Sequence, residues 1–136
     1  MSTREAVGIR FQGGEILMLP TFKAMRRIED AEGPVLFLYQ LHQGGKLNLR
    51  TLATIVATTH AAHEDREFDD ANVERMMEWI YEAGVASDEF REAIHEILLG
   101  FLYTPEQLAK KRQAEADEKD ALLQQMIEQM PMSSFT

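Results

Sequence analysis

The first twenty residues contain two short apolar runs separated by glycine. Apolar residues dominate positions 7–11 and 15–19, and Gln12-Gly13-Gly14 lies between them. Paired glycines adopt the positive φ angles of tight hairpin turns, so this pattern predicts a β-hairpin. Two strands alone are marginally stable in water, and we therefore expect the hairpin to pack on other elements.

From residue 21 onward the apolar positions recur every three or four residues, which is typical of helices. Breaks follow at Gly33-Pro34, Gly44-Gly45, the polar segment 63–67 and Gly84. The pattern predicts five helices before residue 104, where the sequence TPEQ is a capping signal for a sixth.

These elements predict a mainly α (α+β) fold, in which an N-terminal β-hairpin packs on a small helical bundle and a C-terminal helix protrudes. The predicted boundaries are 1–103 for the hairpin and bundle domain, 104–130 for the extended charged helix and 131–136 for a disordered tail.

The segment from Val35 to Leu41 is apolar on every side. A strand is the alternative, but Pro34 before it and Gly44-Gly45 after it favour a short helix. A helix without a polar face is either buried in the core or covered by a partner. We therefore predict partner contacts at Leu36, Phe37, Tyr39 and Leu41.

The sixth helix has a polar middle and an apolar end. Residues 110–120 read KKRQAEADEKD, in which only alanines are apolar. Such a stretch is not suited to burial, so the apolar end is expected roughly 20 Å from the body at about 1.5 Å per residue. Partner contacts are predicted there at Leu122, Leu123, Met126, Ile127 and Met130.

The net charge of -9 is unevenly distributed. Residues 51–100 carry 12 acidic and 3 basic side chains, whereas residues 21–50 carry 3 acidic and 5 basic ones. The simplest interpretation is a solvated outer face of two helices. The alternative is self-association between an acidic helix face and a basic one in another copy. The predicted residues are Lys23, Arg26 and Arg27 on the basic face and Glu74, Glu78 and Glu82 on the acidic face.

Composition removes several classes of function. With no cysteine, the chain has no thiol nucleophile, redox dithiol or Cys-ligated metal. An acidic chain without a strong basic cluster is not expected to bind nucleic acid or anionic membranes. No apolar stretch has the length of a signal peptide core or a membrane span, so a cytoplasmic protein is expected.

Few residues suggest catalysis. His60 and His63 are three residues apart beside Glu64, but no third ligand or H-E-x-x-H pattern accompanies them. Glu92 and His95 form a single E-x-x-H unit, which we expect on a solvated helix face because a di-iron site needs two such units. The sequence therefore predicts no enzyme, no metal site and no cofactor.

The order of elements, together with the stretch LPTFKAMRRIEDAEG at residues 19–33, resembles the small tail assembly chaperones of tailed phages and gene transfer agents, sometimes labelled tail tube proteins. The likeness covers roughly residues 5–102. It implies a non-enzymatic protein of the host cell cytoplasm that keeps the tape measure protein soluble during tail assembly. It also implies the tail tube protein as a possible partner, and self-association.

Two other functions stay open at this point. One is a structural virion or head–tail joining component, which would remain in the finished particle. The other is a small metal-dependent hydrolase that uses His60, His63, Glu64 and Glu92.

Overall fold

The computed structural model of the protein describes residues 4–11 and 14–129. This part of the chain forms an antiparallel hairpin followed by helices, which confirms the predicted fold class. The elements are β1 Val7–Phe11, β2 Gly14–Met18, α1 Phe22–Glu32, α2 Val35–Gln43, α3 Leu49–His63, α4 Asp70–Ala83, α5 Asp88–Leu102 and α6 Pro105–Glu128. The predicted turn residues Gln12 and Gly13, the contact residue Met130 and the tail 131–136 lie outside the described residues.

The hairpin is packed between two helices. Its strands pair in a register that places Ile9 opposite Ile16, and both side chains are buried. The second strand begins and ends one residue earlier than predicted. β1 contacts α5, while β2 contacts α3. The Leu19 amide donates to the Thr59 carbonyl at 3.0 Å, so the chain leaving the hairpin is bonded directly to α3.

α1 and α2 meet at a tight corner. Gly33 ends α1 with a φ of 101°, a left-handed conformation that glycine adopts without steric cost. Pro34 precedes α2 but supplies no side-chain cap. Instead, the Glu29 carboxylate accepts a hydrogen bond from the Val35 amide at 2.9 Å. A residue of α1 therefore satisfies a free amide at the start of α2.

α3 is the central helix of the fold. It contacts α1, α4 and β2, and ten of its fifteen residues are buried. The spacing of Leu49, Leu52, Val56 and His60 predicts a single inner face, whereas the structure buries every residue from Thr51 to Thr59. On the α1 side, the Thr51 and Thr54 hydroxyls donate to the Glu32 carboxylate at 3.1 and 3.2 Å.

α4 and α5 complete the body. In α4, the apolar spacing predicts an inner stripe of Val73, Met76, Met77 and Ile80; Val73 and Ile80 are buried and the two methionines are half-buried. The apolar spacing of α5 predicts a second inner stripe, which is confirmed because all of its members are buried: Phe90, Ile94, Ile97, Leu98 and Phe101. The core therefore lies between the hairpin and α1–α5. Among the described residues, no helix combines the length and apolarity needed to cross a membrane.

Candidate partner-binding surfaces

One face of α2 carries large apolar side chains into solvent. Val35, Leu38 and His42 anchor the helix in the body. Leu36 and Phe37 point away from it and are 57 % and 53 % exposed. We call Leu36 and Phe37 the α2 surface. Its exposure follows from the sequence, because a helix with apolar residues on all sides cannot bury all of them against one body.

Two further residues predicted as partner contacts belong partly to the body. Tyr39 and Leu41 are half-buried. The Tyr39 ring packs against the His95 ring with 5.5 Å between centroids, and the Tyr39 hydroxyl accepts a hydrogen bond from the Gln43 side chain at 3.2 Å. The structure therefore separates these two residues from the more exposed α2 surface.

α6 is held in place at its start and is exposed along the rest of its length. Thr104 accepts from the Gln107 amide at 3.2 Å, and the Thr104 amide donates to the Gln107 side chain at 3.0 Å, which confirms the predicted capping box. An ion pair between Arg112 and Glu96 ties α6 to α5. From Arg112 to Gln129 every residue is exposed.

The end of α6 forms a second apolar surface. We call it the α6 tip, and its described members are 51–65 % exposed: Leu122, Leu123, Met126 and Ile127. The helix has 24 residues, so it extends about 36 Å from its first turn. Nothing in the described part of the chain covers the tip.

A groove lies at the start of α6, between this helix, α5 and the segment before β1. Its volume is about 370 Å³. The α6 wall consists of Pro105, Leu108, Ala109 and Arg112, and the other walls include Arg4, Val7, Glu96, Gly100 and Tyr103. Arg4 donates to the Gly100 carbonyl at 2.7 Å, which holds the N-terminal wall against α5. We call this the base groove.

The predicted basic face on α1 is exposed, but two of its residues already have partners within the chain. Lys23 lies 3.3 Å from the Glu67 carboxylate. The Arg27 guanidinium lies 4.6 Å from the centroid of the Phe68 ring. Arg26 is exposed beside Phe22, another exposed aromatic residue.

The predicted acidic face is exposed on α4, as is Tyr81 on the same helix, and the face consists of Glu74, Glu78 and Glu82. The structure thus presents both charged faces to solvent. Self-association between them stays a prediction.

The histidines at the end of α3 have a structural role. His60 donates through Nδ1 to the Leu17 carbonyl at 2.9 Å, and its Nε2 lies 2.6 Å from the Glu64 carboxylate. His60 therefore connects α3 to the hairpin through Nδ1, while its Nε2 contacts the residue that caps the end of α3. His63 and Glu92 are exposed. Across residues 4–11 and 14–129, no three histidine or carboxylate side chains are grouped closely enough to hold a metal ion.

The expectation of a solvated His95 is wrong. His95 is half-buried because α2 packs over this part of α5, and its ring faces Tyr39 and His42. His42 is buried, and its Nε2 donates to the Arg91 carbonyl at 3.1 Å. Burial lowers the pKa of His42, and the opposing effect of this hydrogen bond does not cancel it. Glu92 is exposed, as expected.

Comparison with known proteins adds no relative to this description. No protein-family model, no curated protein and no solved structure matches the chain.

Proposed function

We propose that this protein is a non-enzymatic assembly chaperone that holds apolar helical segments of a partner protein. The observation that carries the proposal is the α2 surface, where Leu36 and Phe37 are adjacent, large and more than half exposed. An amphipathic helix of a partner buries such side chains through its own apolar face. Burying one large apolar side chain contributes at most about 1.5–3 kcal/mol, so the α2 surface contributes part of the binding energy of a larger, reversible contact.

The α6 tip provides a second place for the same kind of partner. It is apolar, exposed and separated from the α2 surface by the charged middle of α6. Two separated apolar surfaces suit an elongated client with several apolar segments better than a single compact ligand. The resemblance to tail assembly chaperones suggests the tape measure protein as this client, and the tail tube protein as a further partner.

The test is co-expression with a tape measure protein, the proposed client. The double variant Leu36→Glu/Phe37→Glu places two charges on the α2 surface, and we expect a large loss of soluble tape measure protein. A matched control is Tyr81→Glu/Val85→Glu, which changes two exposed apolar residues elsewhere and should leave the soluble fraction unchanged. Thermal unfolding followed by circular dichroism checks that both variants fold.

Two outcomes contradict the proposal. If the α2 double variant keeps the tape measure protein as soluble as the wild type does, the α2 surface is not the binding site. If mass spectrometry of purified particles finds this protein at stoichiometric amounts, it is a structural component of the virion, because a chaperone leaves before the particle is complete.

A further inference from the structure

A cavity of about 220 Å³ lies where the first turn of α1 meets the last turns of α3. Its inner wall contains small side chains, among them Ala24 of α1 and Thr58 and Ala61 of α3, which are all buried. These short side chains do not fill the gap between the two helices. The volume is several times the roughly 30 Å³ that one water molecule occupies in the liquid. We call this space the α1–α3 cavity.

The inner wall contains a buried hydroxyl without a partner among the described residues. Thr58 is 3 % exposed, and its Oγ1 makes no hydrogen bond within this part of the chain. The other buried threonines of α3 are all bonded, as the Thr59 hydroxyl is to the Ile55 carbonyl. An unbonded hydroxyl in the interior is destabilising, and native proteins rarely contain one. Thr58 therefore indicates that a molecule bound in the cavity supplies the missing hydrogen bond.

The first turn of α1 gives one side of the cavity a positive character. Lys23 and Ala24 line the cavity, and the Thr21 hydroxyl caps the helix by accepting from the Ala24 amide at 3.1 Å. The first amides of a helix have no acceptor within the helix, and the helix dipole places partial positive charge there. α1 has no acidic residue in its first turn that would neutralise this charge. The position therefore favours an anion.

Basic side chains outnumber acidic ones around the cavity. Its lining includes three basic and two acidic side chains, all exposed: Lys23, Arg27, Arg66, Asp65 and Glu67. Lys23 and Arg66 each have a carboxylate neighbour, at 3.3 and 3.2 Å, but such exposed pairs contribute little. The Arg27 guanidinium lies over the Phe68 ring, and contact with a ring leaves its in-plane N–H groups able to donate. The charge of the lining thus favours an anion as well.

We infer that the α1–α3 cavity binds a small tetrahedral oxyanion of the phosphate class. The Thr58 hydroxyl and the first-turn amides of α1 donate to it from the inner wall, and Arg27 donates from the rim. A tetrahedral anion has oxygens in four directions, so it accepts from two helices at once better than a planar carboxylate does. A single water would satisfy Thr58 but would not balance the positive charge.

The binding test is a titration of the isotope-labelled protein with sodium phosphate at constant ionic strength, followed by NMR. We expect saturable shifts of the amide signals of Lys23, Ala24 and Thr58. Sodium chloride at the same ionic strength is the control and should cause no saturable shift. Sodium acetate separates the two classes of anion and should bind more weakly than phosphate.

Substitutions of Thr58 test the inner donor. Thr58→Val keeps the shape of the side chain without the hydroxyl. It should raise the phosphate dissociation constant about tenfold, the factor expected for one hydrogen bond to a charged group. Thr58→Ser keeps the hydroxyl and should bind phosphate as the wild type does.

Stability separates a contact with the anion from a purely structural role of Thr58. Without phosphate, Thr58→Val should unfold at a urea concentration at least as high as the wild type does, because it removes an unbonded hydroxyl. With saturating phosphate, the wild type should gain stability through binding, and Thr58→Val should gain less. A hydroxyl bonded only to water would give both proteins the same response to phosphate and would contradict the inference.

Two neighbouring arginines test the rim. Arg27→Gln removes the charge of a residue that lines the cavity, and it should raise the phosphate dissociation constant about tenfold. Arg26→Gln removes the same charge from an exposed position outside the cavity lining and should leave the constant nearly unchanged. Circular dichroism checks that the variants fold.

Three results would overturn the inference: no saturable shift with phosphate, wild-type affinity in Thr58→Val, or equal weakening by Arg26→Gln and Arg27→Gln. Acetate binding as tight as that of phosphate would contradict the assignment to the phosphate class. These measurements contain no client, so they are independent of the proposed chaperone function.

Discussion

α3 and α6 are both well-capped helices, yet they are stabilised in opposite ways. Asn48 accepts from the Thr51 amide at the start of α3, and Thr104 does the same for Gln107 in α6. Ten of the fifteen residues of α3 are buried, whereas none of the 24 residues of α6 is. α3 therefore depends on packing, and α6 depends on its cap, its local ion pairs and its helix propensity.

The difference between α3 and α6 indicates where the protein tolerates substitutions without losing its fold. α3 has the hairpin, α1 and α4 packed around it, so a change there reaches the whole body. Within the described residues, α6 contacts the body through its first turns and through the pair Arg112–Glu96. Its outer turns are therefore available for contacts with other chains.

The largest expected effect comes from a matched pair of isoleucine truncations. Ile55→Ala removes a fully buried side chain from α3 and should lower the free energy of unfolding by about 2–5 kcal/mol. Ile127→Ala removes an exposed side chain of the α6 tip and should change the free energy of unfolding by less than about 0.5 kcal/mol. Urea denaturation at a protein concentration too low for association compares the two. Similar losses would mean that α6 is packed on the body.

A smaller effect is expected from the two caps. Asn48→Ala should cost about 1 kcal/mol of global stability, because α3 unfolds together with the body. Thr104→Ala removes a similar bond, but the loss should appear as faster amide hydrogen exchange in α6 with little change in the global transition. If Thr104→Ala shifted the urea midpoint as much as Asn48→Ala, α6 would belong to the same cooperative unit as α3.

The smallest effect concerns a buried histidine, for which α6 has no counterpart. Burial holds the pKa of His42 below its ordinary value of 6.5 in the folded protein. The unfolded chain therefore binds a proton at a higher pH than the folded one. This contribution to stability is fully present above pH 6.5 and is lost as the pH falls through the folded pKa.

His42→Gln keeps a donor for the Arg91 carbonyl but does not titrate, so its unfolding free energy should fall less between pH 7 and about pH 5 than that of the wild type. His63→Gln, an exposed histidine at the end of α3, is the control. If the unfolding free energies of His42→Gln and the wild type fell equally over this pH range, His42 would not be the source of the pH dependence.

Local signals made much of this fold predictable. Gly33 and Gly84 end helices at positive φ angles, and Thr104 with Gln107 forms the expected box, because these residues act through their own backbone or neighbours. The stripe of α5 was predictable for a similar reason, since its apolar spacing is regular.

Long-range contacts were harder to predict. The segment Thr51–Thr59 has no charged residue, which is a signal for complete burial, although it contains four threonines. Thr51, Thr54 and Thr59 tolerate burial because their hydroxyls bond within α3 or to Glu32, as the Thr59 hydroxyl does to the Ile55 carbonyl at 2.6 Å. The half-buried position of His95 depends on the crossing of α2 and α5, which no spacing along either helix specifies.

The same limit applies to the surfaces. The sequence indicated that α2 and the end of α6 have more apolar residues than one body can cover. Predicting that Tyr39 and Leu41 are half-buried while Leu36 and Phe37 are exposed would have needed the direction in which α2 packs on α5. The base groove was not predicted, because its walls come from three separate parts of the chain.

The bond from Glu29 to the Val35 amide also gives the α2 surface a mechanical property. Because the first turn of α2 is bonded to a side chain of α1, we expect a force applied to Leu36 or Phe37 to reach α1 through this bond as well as through the Gly33-Pro34 corner. We therefore expect the corner between α1 and α2 to be stiff. A partner bound to α2 would therefore load α1 as well. Because the Thr51 and Thr54 hydroxyls of α3 bond to Glu32 of α1, we expect the load to reach the central helix too.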